Sequence, residues 1–123
     1  MVDKALLDTN IFSEILKGID QNVVTHATAY RVAFGRYTIS IITVMEIVKG
    51  LHKLRREDHV QQFLAGLANV ELLTQDLHSS ESAGRIYADF ERTGQRIGRA
   101  DPRIAAIALR YGLTRITGNV AHY

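Results

Sequence analysis

Four short apolar or β-branched runs, Ala5-Leu6-Leu7, Thr38 to Ile42, Val70 to Leu73 and Leu113 to Thr117, are separated by stretches whose apolar residues recur at helical spacing. Short runs of this composition read as strands. Strands alternating with helices predict an α/β fold, a central parallel sheet with helices on both faces. Right-handed crossovers would bring every strand's C-terminal end to one edge. Sites in such sheets lie along that edge, near the point where strand order reverses. Asp8, Thr43 to Glu46 and Thr117 to Asn119 all fall there.

The helical stretches carry their own start and stop signals. Asp8-Thr9-Asn10 suits a helix start; Ile11, Ile15 and Leu16 follow at helical spacing, and Gly18 ends the pattern. A second helix is predicted over Gln21 to Phe34, with Val24, Ala27, Tyr30 or Arg31, and Phe34 in stripe positions and Gly35 as the stop. The strand from Thr38 to Ile42 passes directly into Thr43-Val44-Met45-Glu46, a helix-start pattern, and that helix should reach about Leu54. Arg55-Arg56-Glu57-Asp58 reads as a polar turn, His59 to Ala68 as a helix, and Asp76 to Arg92 as a long helix. Thr93 to Arg99 is rich in Gly and Arg and reads as a loop. Pro102 suits the first position of a last helix, with Asp101 as its cap, continuing to Gly112.

Asp8, Glu46 and Asp101 therefore each stand where a strand or turn hands over to a helix, and the sheet edge would gather them into one pocket. Ionised carboxylates repel by roughly 4 kcal/mol per close pair at an effective dielectric of about 20. Something positive must compensate, and an all-oxygen donor set suits Mg²⁺ or Mn²⁺. Each acid also has a structural reading. Asp8 would cap the first helix, Asp101 the last, and Thr43-x-x-Glu46 reads as a capping box with Glu46 reaching back to the Thr43 amide. Three independent caps need not share one sheet edge, which favours the metal reading.

The 123 residues suffice for one domain with a real core. At 46% apolar and 23% charged, the composition is that of an ordinary globular protein. The N-terminus reaches Asp3 and Lys4 before any apolar run forms, so no signal peptide is expected. No apolar stretch approaches the ~20 residues of a membrane helix, and a cytoplasmic location follows as the expectation. With no Cys, disulfides and thiolate metal sites are excluded. The five His form no ligand pair on one helix face. Net charge is +2, and the basic residues Arg85, Arg92, Arg96, Arg99, Arg103, Arg110 and Arg115 collect in the last third. Asp76, Glu81, Asp89 and Glu91 lie on or beside a long polar helix and read as solvated surface.

Four ordered segments carry a resemblance: Leu7-Asp8-Thr9-Asn10; Thr43-Val44-Met45-Glu46-Ile47; Ile97-Gly98-Arg99-Ala100-Asp101-Pro102-Arg103-Ile104-Ala105-Ala106; and Gly112-Leu113-Thr114-Arg115-Ile116-Thr117-Gly118-Asn119. In order and spacing they resemble the PIN domain family, and within it the VapC-like toxins of prokaryotic toxin–antitoxin pairs, across nearly the whole chain. The resemblance implies a single PIN domain over residues 1–123 with Asp8, Glu46 and Asp101 as its acidic ligands. Asn119 occupies the position of a fourth acid, where an amide adds no charge and puts a second metal in doubt. Thr9 and Thr117 would supply hydroxyls to the carboxylates or the scissile phosphate, with Asn10 beside them. Relatives continue into a short tail where this chain stops at Tyr123, so a truncated or unusually short protein is expected.

The implied activity is that of a Mg²⁺- or Mn²⁺-dependent endoribonuclease. Asp8 and Asp101 would hold the principal metal, with Glu46 a further ligand that orients the attacking water or takes its proton. Arg99 or Arg103 would neutralise flanking phosphates. The implied partners are RNA, a cognate antitoxin laid over a groove near Ile11, Ile15, Ile47, Leu51 and Leu54, and a second copy of the chain or a toxin–antitoxin hetero-oligomer; no membrane partner is expected. Two other classes stay open. A non-catalytic PIN-like interaction module is kept open by Asn119. A Mg²⁺-dependent phosphoacceptor or phosphatase of the haloacid-dehalogenase type would need a second Asp where Asn10 stands, and a receiver would need an acidic pair on the first strand.

Overall fold

The computed structural model describes residues 4–93 and 102–116. The chain begins with β1 (Ala5–Leu7), α1 (Thr9–Lys17), α2 (Gln21–Phe34), β2 (Thr38–Ser40) and α3 (Ile41–Lys53). It continues with α4 (Glu57–Gly66), a 3₁₀ turn at Leu67–Asn69, β3 (Glu71–Leu73), α5 (Leu77–Thr93), α6 (Pro102–Arg110) and β4 (Thr114–Ile116). The sheet has four strands in the order β3-β2-β1-β4, and every pairing is parallel. The expected α/β architecture is therefore present.

Because successive strand side chains point to opposite faces, Leu6 and Leu7 anchor two separate cores. Leu7 packs with Ile39, with Ile11 and Phe12 of α1, Val23 of α2, Ile47 of α3 and Phe63 of α4. Leu6 packs on the other side with Leu73, Ile42 and the α6 residues Ile104, Ile107 and Ala108. Helices thus cover both faces, as the alternation requires. Phe12 meets Tyr37 and Phe63 edge-on, at ring separations of 6.0 and 6.5 Å. It is the better anchor of α1 than the expected Leu16, which is 55% exposed. On α2 the buried stripe is Val23, Ala27 and Tyr30, one residue off the expected Val24 at its start.

Two boundaries differ for local reasons. The second strand stops at Ser40, two residues early, because the Ser40 hydroxyl accepts the Thr43 amide at 3.2 Å and starts the helix at Ile41. Glu57 and Asp58 belong to the first turn of α4 and not to a polar turn; two acids there complement the helix dipole. Asp76 is a cap rather than free surface. Its carboxylate accepts the Ser79 amide at 2.8 Å and ties α5 to α6 through Arg110 at 3.0 Å. Glu81 and Asp89 are solvated, as expected, pairing with Arg85 and Arg92 on the same helix.

The sheet edge opposite the expected site is closed by a polar network. Tyr30 donates to the Ala5 carbonyl at 2.9 Å, and the buried Thr38 hydroxyl donates to Glu71 at 2.9 Å. Lys4 pairs with the same carboxylate at 3.0 Å. The Lys4 hydrogen bond, helped by that from Thr38, holds the Glu71 carboxyl below its ordinary value of 4.5 although burial opposes it. A carboxyl whose pKa is depressed on folding adds stability above its unfolded pKa, and that contribution disappears as pH falls through the folded value. Glu71→Gln should therefore cost about 1 kcal/mol at neutral pH, a modest figure because the pair is partly solvated. Urea melts of both proteins from neutral pH to pH 3 should show the difference closing in the acid range.

Candidate active site

Two neighbouring strands end at the same level and turn straight into helices. Leu7 of β1 pairs with Ile39 of β2, so Asp8 and Ser40 follow side by side on the C-terminal edge. Both have extended backbones and act as N-caps. Asp8 Oδ1 accepts the Thr9 amide at 2.8 Å, and its carbonyl accepts the Phe12 amide at 3.0 Å. Asp8 is only 4% exposed. A buried carboxylate is tolerable there because the first turn of α1 presents partial positive charge.

Glu46 reaches the same place from α3. Thr43 and Glu46 stand three apart and share one helix face. The Thr9 hydroxyl donates to Glu46 Oε1 at 2.8 Å and lies 3.0 Å from the Thr43 hydroxyl. Thr9 therefore binds one acid through its amide and the other through its hydroxyl, joining Asp8 and Glu46 in one site. This removes the capping-box reading of Thr43-x-x-Glu46. Ser40 is the cap, Thr43 sits inside the first turn, and Glu46 turns away from the helix end toward Thr9.

The remaining expected residues divide. Asp101, Asn119, Thr117 and Arg99 lie outside the described residues. The helix following Asp101 does start at Pro102, and the strand preceding Thr117 ends at Ile116, level with Leu7. Arg103 sits partly buried in the first turn of α6. Asn10 is exposed on α1 and makes no hydrogen bond to either acid. Two participants are not singled out by the sequence pattern: Ser40, which falls within the predicted strand, and Thr43, which stands at the predicted helix start. The spacing Ser40-x-x-Thr43 was the available sign, a hydroxyl three residues before a helical amide.

Among the described residues no group of three or more His, Asp or Glu forms a metal cluster. Of the three acids expected at the site, Asp8 and Glu46 are among the described residues. Their donors suit a hard divalent cation: all are oxygens, and Glu46 Oε2 receives no hydrogen bond from a described residue.

An apolar groove of about 740 Å³ runs between α1, α3 and α4 and reaches Thr9. Leu16, Ile47, Leu51, Leu54 and Phe63 line it. Of the residues expected there, Ile47, Leu51 and Leu54 are present. Ile11 is buried in the core and Ile15 packs against it, because both face the sheet.

The profile of the PIN domain matches residues 5–122. The chain belongs to the PIN domain family. Among PIN proteins, it is similar to the "tRNA(fMet)-specific endonuclease VapC" of Salmonella typhimurium, 28% identical over 121 residues, covering 98% of this chain and 89% of the relative. It is also similar to "Ribonuclease VapC2" of Haemophilus influenzae, 27% identical over 124 residues, with the same coverage of each. In three dimensions it resembles the crystal structure of DNA-bound VapBC from Salmonella typhimurium, with a TM-score of 0.77 and 28% identity over 97% of this chain and 89% of that one. The PIN fold accounts for a sheet whose strand order reverses beside β1, where Asp8 stands.

Proposed function

We propose that this protein is the ribonuclease toxin of a VapBC-type toxin–antitoxin pair, a divalent-cation-dependent endoribonuclease. The observation that carries the reading is Thr9 joining Asp8 and Glu46 at the C-terminal sheet edge of a PIN domain. Asp8, Glu46 and Asp101 would hold Mg²⁺ or Mn²⁺, and Asn119 would add an amide oxygen without charge. When bound, the ion supplies Lewis acidity to a phosphoryl oxygen and lowers the pKa of water.

The chain's own groups do the rest. Asp8, fixed by the Thr9 amide, contributes an oriented buried charge. Glu46, held on one oxygen by Thr9, keeps the other for the attacking water, which it orients and deprotonates. Thr117 supports the carboxylates or the scissile phosphate, and Arg99 and Arg103 neutralise neighbouring phosphates. Water attacks phosphorus in line and the 3′ oxygen leaves, so the RNA 2′-hydroxyl takes no part.

Labelled RNA incubated with Mg²⁺ should give 5′-phosphate and 3′-hydroxyl ends, with cleavage abolished by EDTA and by Asp101→Asn. Products ending in 2′,3′-cyclic phosphate would refute this chemistry. The groove from Leu54 to Thr9 is the antitoxin's docking surface, and occupation there obstructs the nuclease site. The protein also forms a homodimer or a hetero-oligomer with its antitoxin. Among the described residues no helix is long and apolar enough to cross a membrane.

A further inference from the structure

The hydroxyl hydrogen bonds at the site run in one direction. Thr9 has a single hydroxyl proton, and it goes to the Glu46 carboxylate at 2.8 Å. The 3.0 Å contact between Thr9 and Thr43 must then be donated by Thr43. Thr43 in turn receives a longer contact from the Ser40 hydroxyl at 3.5 Å. A polarised series results: Ser40 to Thr43 to Thr9 to Glu46. Ser40 and Thr43 are both completely buried, so water does not replace either donor.

We infer that Thr43 is a positioning residue for the nuclease site, acting through Thr9 to fix the carboxylate of Glu46. By donating along this contact, Thr43 ceases to be a rival acceptor for the single Thr9 proton, and so commits Thr9 to donating toward Glu46. The role rests on the nuclease reading above but concerns a residue that touches neither substrate nor ion. A hydrogen bond made directly to a metal ligand, as Thr9 makes to Glu46, is worth about tenfold to a hundredfold in metal affinity, and Thr43, one bond further out, belongs at the low end of that range.

The test is Mn²⁺ binding, read from the free-ion electron paramagnetic resonance signal, alongside RNA cleavage and melting in chelator. Thr43→Val keeps shape and removes the donor. It should weaken Mn²⁺ binding by about tenfold, while Thr43→Ser, which keeps the hydroxyl, should restore it to within about threefold. In a Glu46→Ala background, Thr43→Val should change nothing further, because the group it positions is gone. If Thr43→Val melts much lower in chelator, Thr9→Val breaks the next link at a half-buried position and should show the same loss and the same dependence on Glu46. Wild-type Mn²⁺ affinity in both valine variants would overturn the positioning role and leave the nuclease standing, provided wild type binds Mn²⁺ and cuts RNA. A loss that persists undiminished in the Glu46→Ala background would mean that Thr43 only holds the scaffold, and would also overturn it. A wild type that binds no Mn²⁺ would overturn both readings together.

Discussion

Asp8→Asn is expected to fold normally and to cleave RNA at least about a thousandfold more slowly. Asn caps helices as well as Asp does, and its carbonyl oxygen accepts the Thr9 amide that Asp8 Oδ1 accepts now. The cap survives while the charge disappears. Electrostatic stabilisation by a bound ion is worth several kcal/mol in the transition state, and about 4 kcal/mol is a factor of a thousand in rate. Single-turnover cleavage measures the loss. Melting with and without millimolar Mg²⁺ separates the causes: wild type gains stability by mass action and Asp8→Asn does not. Cleavage within tenfold of wild type, or an equal Mg²⁺ response in both proteins, would remove Asp8 from the site.

Phe12→Ala should be among the most destabilising single changes, at about 4 kcal/mol. Its ring is 3% exposed and contacts two other rings, so truncation leaves a cavity that neighbouring strands and helices do not fill. Phe12→Leu should lose much less, since most of the volume stays. The damage extends to the site, because Phe12 lies one turn beyond Thr9 and its amide is bound to the Asp8 carbonyl. Denaturant titration should show the stability difference, and residual activity should fall further than the folded fraction alone dictates. A loss below about 1 kcal/mol would mean that α1 is held in place by something other than this ring.

What could be read from the chain followed how local the deciding interaction was. Helix α2 was legible to the residue because Gly35, in the left-handed region at φ 82°, ends it regardless of what packs around it. Pro102 opens α6 for an equally local reason. Ile41 and Ile42 misled because β-branched residues favour strands, and one Ser40 hydroxyl outweighed that preference by supplying a helix cap. The acids Asp8 and Glu46 were legible as polar side chains placed where apolar strands give way to helices. Their joining by Thr9 was not, since that bond spans 37 positions and exists only after β1 and β2 have paired. Phe12 was missed for the same reason: the pattern Ile11, Ile15, Leu16 fits helical spacing too, and the surroundings of α1 decided which flank lies inward.

Among the described residues the earliest strand lies inside the sheet, and its partner on one side is the latest, with Ala5 opposite Thr114 and Leu7 opposite Ile116. During translation the early strand must wait, half-paired, until β4 has left the ribosome. Pairings so distant in sequence also form slowly. For a nuclease fold this wiring amounts to a delay: the sheet edge that carries Asp8 is complete only once β4 has been made and has found β1.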